Sequence, residues 1–222
     1  FDLAQGRPSG NNYTPDAAKA GGGGGTPHEN ALEKDGKKSQ YKTWMNSDVR
    51  ILFDGSNLSL FANRSIVSFT GKKFQSENKP EVVLKIEAVS GRLKDGKTDP
   101  SLQNETDKGP TPEGLYWVNI NEIEDAYNHN SKKTLYNNVI NYVRWKTPWH
   151  FVDYGECRVL LIPDAYTSTY NRDNMYIHGG SSLGSAGCID GTVLGCYFIR
   201  KTEKIAKDNY LYIIPVWVEY EK

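Results

Sequence analysis

The chain has no excess charge of either sign: its 222 residues carry 27 Lys and Arg against 27 Asp and Glu. A nucleic-acid grip needs a net basic face that releases counterions from phosphates, and this balance argues against one. Long apolar runs are also missing. No stretch approaches the roughly 18 residues of a membrane-spanning helix, and no basic start followed by an apolar stretch reads as a signal peptide. Opening on Phe1 rather than Met fits a processed product or an excised fragment. No set of His, Cys and acidic residues has metal-ligand spacing, so neither a zinc site nor another cofactor is expected. Cysteine is scarce and odd in number. Cys157, Cys188 and Cys196 cannot all pair with one another, so at least one thiol is free within the monomer. A Cys157–Cys196 disulfide is conceivable in an oxidising compartment, but the sequence does not establish their proximity.

The aromatics, by contrast, are plentiful, with 14 Tyr and 5 Trp, and Gly and Asn are frequent. That composition suits a β-sheet protein with many turns. Residues 1–42 read as a flexible leader: five consecutive glycines at 21–25, several prolines and a charged stretch at 33–38 leave too little apolar surface to offset the entropy of ordering. A tail laid over the domain surface is the alternative. Residues 43–222 form the domain, long enough for a sizeable core.

Within it, short apolar runs at 49–53, 58–61 and 66–70 alternate with turn residues, including Asp54-Gly55-Ser56-Asn57. Further strands are expected at 81–89, 115–120, 157–162 and 175–178. A strand at 210–220 contains Pro215, which predicts an edge or a bulge. Residues 121–150 allow one or two short helices. A clearer helix follows Cys188: Asp190 and Thr192 are capping types, and Val193, Leu194, Tyr197, Phe198 and Ile205 recur at spacings of three, four and seven. It is expected to begin within a residue or two of Cys188. The fold class is therefore mainly β, with a few short helices.

The stretch with chemical content is Tyr176-Ile177-His178-Gly179-Gly180, followed by Ser185-Ala186-Gly187-Cys188-Ile189-Asp190. A strand delivers a histidine, a small-residue loop follows, and a cysteine precedes a helix. A helix N-terminus and a nearby imidazolium both lower a thiol pKa. Gly187 allows close approach to a substrate carbonyl, and amides around Gly187 and Cys188 suit an oxyanion. Ser185 can hydrogen-bond within the loop or to the histidine. A His and a Cys ten residues apart also fit a core histidine and an inert thiol. The glycines at 179, 180, 184 and 187 weigh against that, because a packed core does not need them.

His-Gly, a spacer and then Ser-x-Gly-Cys-Ile resembles the active-site signature of the L,D-transpeptidases. Gly109-Pro110-Thr111-Pro112-Glu113-Gly114-Leu115-Tyr116 resembles the Thr-Pro-x-Gly segment upstream of that site, and Ser90-Gly91 matches in the usual order. Ala186 stands where the family has His, and Asp190 where it commonly has Arg. The short spacer, and Asp54-Gly55-Ser56-Asn57-Leu58 near the start, are similar to the L,D-transpeptidase-like toxins of type VI secretion. The resemblance implies an L,D-transpeptidase-like β-sandwich or barrel, with Cys188, His178, Ser185 and Gly187 in the catalytic apparatus. Arg172, Gly179 and Tyr176 are the candidates for substrate contact, Arg172 substituting for the missing Arg. It implies peptidoglycan stem peptides as substrate, acted on as L,D-carboxypeptidase or L,D-transpeptidase in the periplasm of a target bacterium. An immunity protein and a secretion-system carrier would be partners. A housekeeping cell-wall enzyme and a non-catalytic peptidoglycan-binding module are the alternatives.

Overall fold

The computed structural model describes residues 27–63, 66–67, 73–74, 80–125, 155–181 and 183–220. In chain order the strands are β1 (Val49–Phe53), β2 (Asn57–Ala62), β3 (Ile66–Val67), β4 (Lys73–Phe74), β5 (Glu81–Glu87), β6 (Val89–Ser90), β7 (Leu93–Lys94), β8 (Lys97–Thr98), β9 (Gly114–Asn119), β10 (Glu124–Asp125), β11 (Cys157–Leu160), β12 (Ile162–Pro163), β13 (Tyr176–His178), β14 (Ile189–Asp190) and β15 (Ile213–Val218). Among the described residues two α-helices accompany them, α1 (Pro27–Met45) and α2 (Gly195–Asp208). Among the described residues, no helix is long and apolar enough to cross a membrane.

Two sheets face each other. One has six strands in the order β12-β9-β15-β1-β2-β5, the other five in the order β10-β11-β13-β14-β6. The chain passes between them at Ala88, where β5 ends and β6 begins. Alternation along the strands aims Ile51, Phe53, Leu60, Val118 and Val216 of the first sheet, and Val159, Ile177 and Ile189 of the second, into one buried core. The β1–β2 hairpin is set by its turn: the Asp54 carboxylate accepts from the amides of Ser56 and Asn57, and Gly55 takes φ +92°.

The far face of the six-stranded sheet is covered by the end of α1. Trp44 packs with Leu115 and Trp217, and its indole N–H donates to the Ile51 carbonyl (2.7 Å). Gln40 is buried and donates to Asp164 and Thr167. The helix therefore runs across the boundary at residue 42 drawn from composition. Gln40 and Trp44 anchor its last two turns, with the Tyr41 ring edge-on to Trp217 and Lys37 beside Glu113 (3.7 Å). The glycine run at 21–25 lies outside the described residues. Within the stretch expected to hold short helices, the structure has a 3-10 turn (Ile120–Glu122) and β10; residues 126–154 lie outside the described set.

Two expectations need correction. Pro215 lies in β15, a strand flanked by β9 and β1, not in an edge strand. The β1 ladder registers only from Val216 onward, so Pro215 lies just outside it and has β9 alone as ladder neighbour. The second concerns the helix after Cys188. It begins at Gly195, after a 3-10 turn (Thr192–Leu194), because Ile189 and Asp190 are held as β14 between β13 and β6. Asp190 does act as a turn former, accepting from the Thr192 amide (2.8 Å). The buried stripe of α2 is Cys196, Ile199, Thr202 and Ala206 with Phe198, whereas Val193, Leu194 and Tyr197 are exposed.

Candidate active site

Strands β13 and β14 run parallel, with Ile177 opposite Ile189 and His178 opposite Asp190. Paired residues share a face, so the two isoleucines enter the core and His178 and Asp190 point to the other side. Strand alternation carries that side to Tyr176 and to Cys188, two residues before Asp190. The Tyr176 amide donates to Cys188 Sγ (3.4 Å), and the Asn174 carbonyl lies 3.9 Å from the same sulfur. Arg158 on β11 is registered opposite His178 and Glu124 on β10 opposite Arg158, which extends this polar face across two more residues. Arg158 bonds the Glu124 carboxylate at 2.8 Å and lies over the Tyr176 ring at 4.5 Å.

His178 is only 2% exposed. Its Nδ1 lies 2.5 Å from the Gly179 carbonyl and 4.0 Å from Asp190 Oδ1. A bond to a carbonyl requires Nδ1 to carry the proton, which leaves Nε2 as the basic nitrogen. Asp190, which the sequence offered as a helix cap and as a departure from a family Arg, is thus the carboxylate beside the imidazole. Burial lifts its carboxyl above the usual range, opposed by the Thr192 amide and by His178. Nothing local in the sequence distinguished it from a cap, because its role depends on the pairing of β13 with β14.

The loop before Cys188 is fixed by hydroxyls from elsewhere in the chain. Thr111 Oγ1 donates to the Gly187 carbonyl (2.6 Å), and Ser90 Oγ and Ser185 Oγ donate to the Cys188 carbonyl at 2.8 and 2.6 Å. Ser90 and Thr111 are fully buried and also bond each other, the Thr111 amide donating to Ser90 Oγ (2.9 Å). Tyr220 donates its hydroxyl to the Thr111 carbonyl and Tyr116 donates to that of Pro112. In the sequence Ser90 and Thr111 stand only as motif landmarks; in the fold they buttress the cysteine loop. Ser185 bonds within its own loop, one of the two options open to it.

Gly187 has φ +108°, a region that favours glycine, and a Cβ there would lie 2.0 Å from Arg172 Nη2. Arg172 is buried. Its guanidinium donates to the carbonyls of Gln103 (2.9 Å), Pro110 (2.8 Å) and Gly109 (2.7 Å). It ties the 103–110 segment to the cysteine loop, and that geometry differs from an arm free to take a substrate carboxylate. Tyr176 meets the Cys188 sulfur through its amide, and Gly179 meets the His178 ring through its carbonyl.

The thiol differs from expectation in its electrostatics. With α2 starting seven residues downstream, its N-terminus does not meet Cys188. Burial pushes its thiol up to about 11, against the pull of the Tyr176 amide, Arg158 and Arg172. The resting group is a neutral thiol.

No curated protein matches the chain. A family model, the Tlde1 domain, matches residues 84–208, which is more than half of the chain and spans β14, the cysteine loop and every hydroxyl that holds it. That family is one of L,D-transpeptidase-like type VI secretion effectors, which suggests a peptidoglycan-modifying role. By its sheet pair, its His-Cys loop and this match, the chain belongs to the Tlde1 domain family.

Proposed function

We propose that the protein is a cysteine acyl-transfer enzyme acting on tetrapeptide stems of peptidoglycan, with Cys188 as nucleophile and His178 as general base. The reading rests chiefly on one observation: the Gly179 carbonyl holds His178 Nδ1, so the other ring nitrogen is basic on the face that Cys188 shares. The imidazole takes the thiol proton as sulfur attacks the carbonyl of the third stem residue. The terminal D-Ala then leaves with that proton, giving a thioester. Water releases a tripeptide; an amine gives a crosslink or an exchanged D-amino acid. The C=O and N–H of a trans peptide point in opposite directions. With the Gly187 carbonyl turned in to Thr111, the Cys188 amide points away from Thr111, as an oxyanion donor needs.

The biological role that goes with this chemistry is an antibacterial effector, carried to the periplasm of a target cell and neutralised in the producer by an immunity protein. Digestion of purified muropeptides tests the chemistry: tetrapeptide stems should lose one D-Ala, whereas loss of a dipeptide would indicate an endopeptidase instead.

The neutral thiol favours proton transfer during attack over a preformed thiolate–imidazolium pair. Alkylation of Cys188 in the resting protein should accordingly be slow at pH 7 and climb through pH 9 toward about 11, read by peptide mass mapping. A rate already at its plateau near pH 6 would point to the ion pair. The same raised pKa suits a non-catalytic binding module, so alkylation does not separate the two readings; release of D-Ala does.

A further inference from the structure

The acyl-transfer chemistry leaves two thiols unused. Cys157, first residue of β11, is fully buried, while Cys196, second residue of α2, is 8% exposed. Cys196 lines an open cavity of about 420 Å3 bounded also by Gly155, Glu156, Gly180, Thr192 and Arg200. The Cys157 amide donates to Cys196 Sγ at 2.8 Å, and the Cys157 carbonyl lies 3.4 Å from that sulfur. Each thiol is the largest influence on the other's acidity. A sulfur 2.8 Å from an amide nitrogen lies within about 4.3 Å of the adjoining Cα, which puts the Cys196 sulfur within reach of the Cys157 side chain.

We propose that Cys157 and Cys196 form a disulfide when the protein enters an oxidising compartment, closing a covalent loop that encloses both His178 and Cys188. The two cysteines differ in the way thiol–disulfide exchange requires. The Cys157 thiol, the amides of Cys157 and Glu156, and Arg200 draw Cys196 toward the thiolate, while the neighbouring Cys196 thiol and burial push Cys157 up. Cys196, reached through the cavity, attacks a small-molecule or protein disulfide and displaces one thiolate. Cys157 then gives up its proton and attacks the mixed disulfide at the Cys196 sulfur, displacing the second. Two thiols are oxidised to one disulfide, and the incoming disulfide is reduced to two thiols.

The bridge would fasten α2 to β11 beside the backbone of His178 and Gly179. A Cβ on Gly195 would lie 2.3 Å from the His178 carbonyl oxygen, and one on Gly179 would lie 3.2 Å from Cys196 Sγ. A spacing of 39 residues lies in the range where cross-links stabilise strongly, and the melting midpoint should rise by roughly 5–10 °C on oxidation. The proposal does not require Cys188 to be a nucleophile.

To test it, the folded protein is incubated with oxidised glutathione, blocked with an alkylating agent, digested without reductant and mapped by mass. The expected result is a peptide pair joined through Cys157 and Cys196, lighter by two hydrogens and separated by dithiothreitol, with Cys188 alkylated. The Cys188→Ala variant should give the same bridge, which excludes exchange through the third thiol. Three alkylated cysteines after oxidation, Cys196 carrying glutathione while Cys157 stays reduced, or a bridge through Cys188 would each overturn the proposal.

Discussion

Replacing Cys188 with Ala should abolish D-Ala release from tetrapeptide muropeptides, by at least about a thousandfold, while the melting midpoint moves by only a few degrees. The two readouts separate because of what the sulfur touches. Its contacts are the Tyr176 amide at 3.4 Å and the Asn174 carbonyl at 3.9 Å, both weak bonds to sulfur. The strong bonds at this position go to backbone carbonyls, from Thr111, Ser90 and Ser185, and they survive the substitution. Activity retained in the folded variant would end the assignment of the nucleophile.

Arg172→Met should give the opposite signature, a stability loss of about 3–6 kcal/mol, since each stranded buried acceptor costs about 1–3 kcal/mol. The carbonyls of Gln103, Gly109 and Pro110 all lose a charged donor, and the methionine reaches none of them. For a domain of this size that is a fall of roughly 10–20 °C in the melting midpoint. Thermal unfolding followed by circular dichroism checks it. Gly187 packs against the same guanidinium, so kcat should fall as the cysteine loop loosens. A substrate-carboxylate contact would behave differently: KM would rise at unchanged stability, and that outcome would restore the role suggested by the sequence.

Much of the sheet structure was legible because its strands are short apolar runs between turn residues. The run at 49–53 coincides with β1, and Asp54-Gly55-Ser56-Asn57 forms the expected turn around the Asp54 carboxylate. The run at 81–89 is β5 and β6 together, split where the chain changes sheets. β14 was hidden, since two residues carry no periodicity, and the capping types at 190 and 192 suggested a helix there. Ladder bonds to β13 and β6 outweigh that local preference and move the helix start to Gly195. Helix α1 escaped notice for the opposite reason: its sequence is polar, and only Gln40 and Trp44 are buried among its described side chains.

For the site, His178, Gly179, Tyr176, Ser185, Gly187 and Cys188 fall within one local pattern and could be named together. The supports could not. Ser90 reaches Cys188 across 98 positions and Thr111 reaches Gly187 across 76, and the partner of Asp190 is set by strand register. Contacts of that range follow from the fold and leave no mark on local composition.

The acyl-enzyme is the most direct object to look for. Protein mixed with a tetrapeptide muropeptide is quenched in acid, digested, and the Cys188 peptide is weighed. It should carry the stem less one D-Ala, as a thioester that hydroxylamine removes. Turnover with this peptide never modified, or with the adduct on Cys196 instead, would contradict the account.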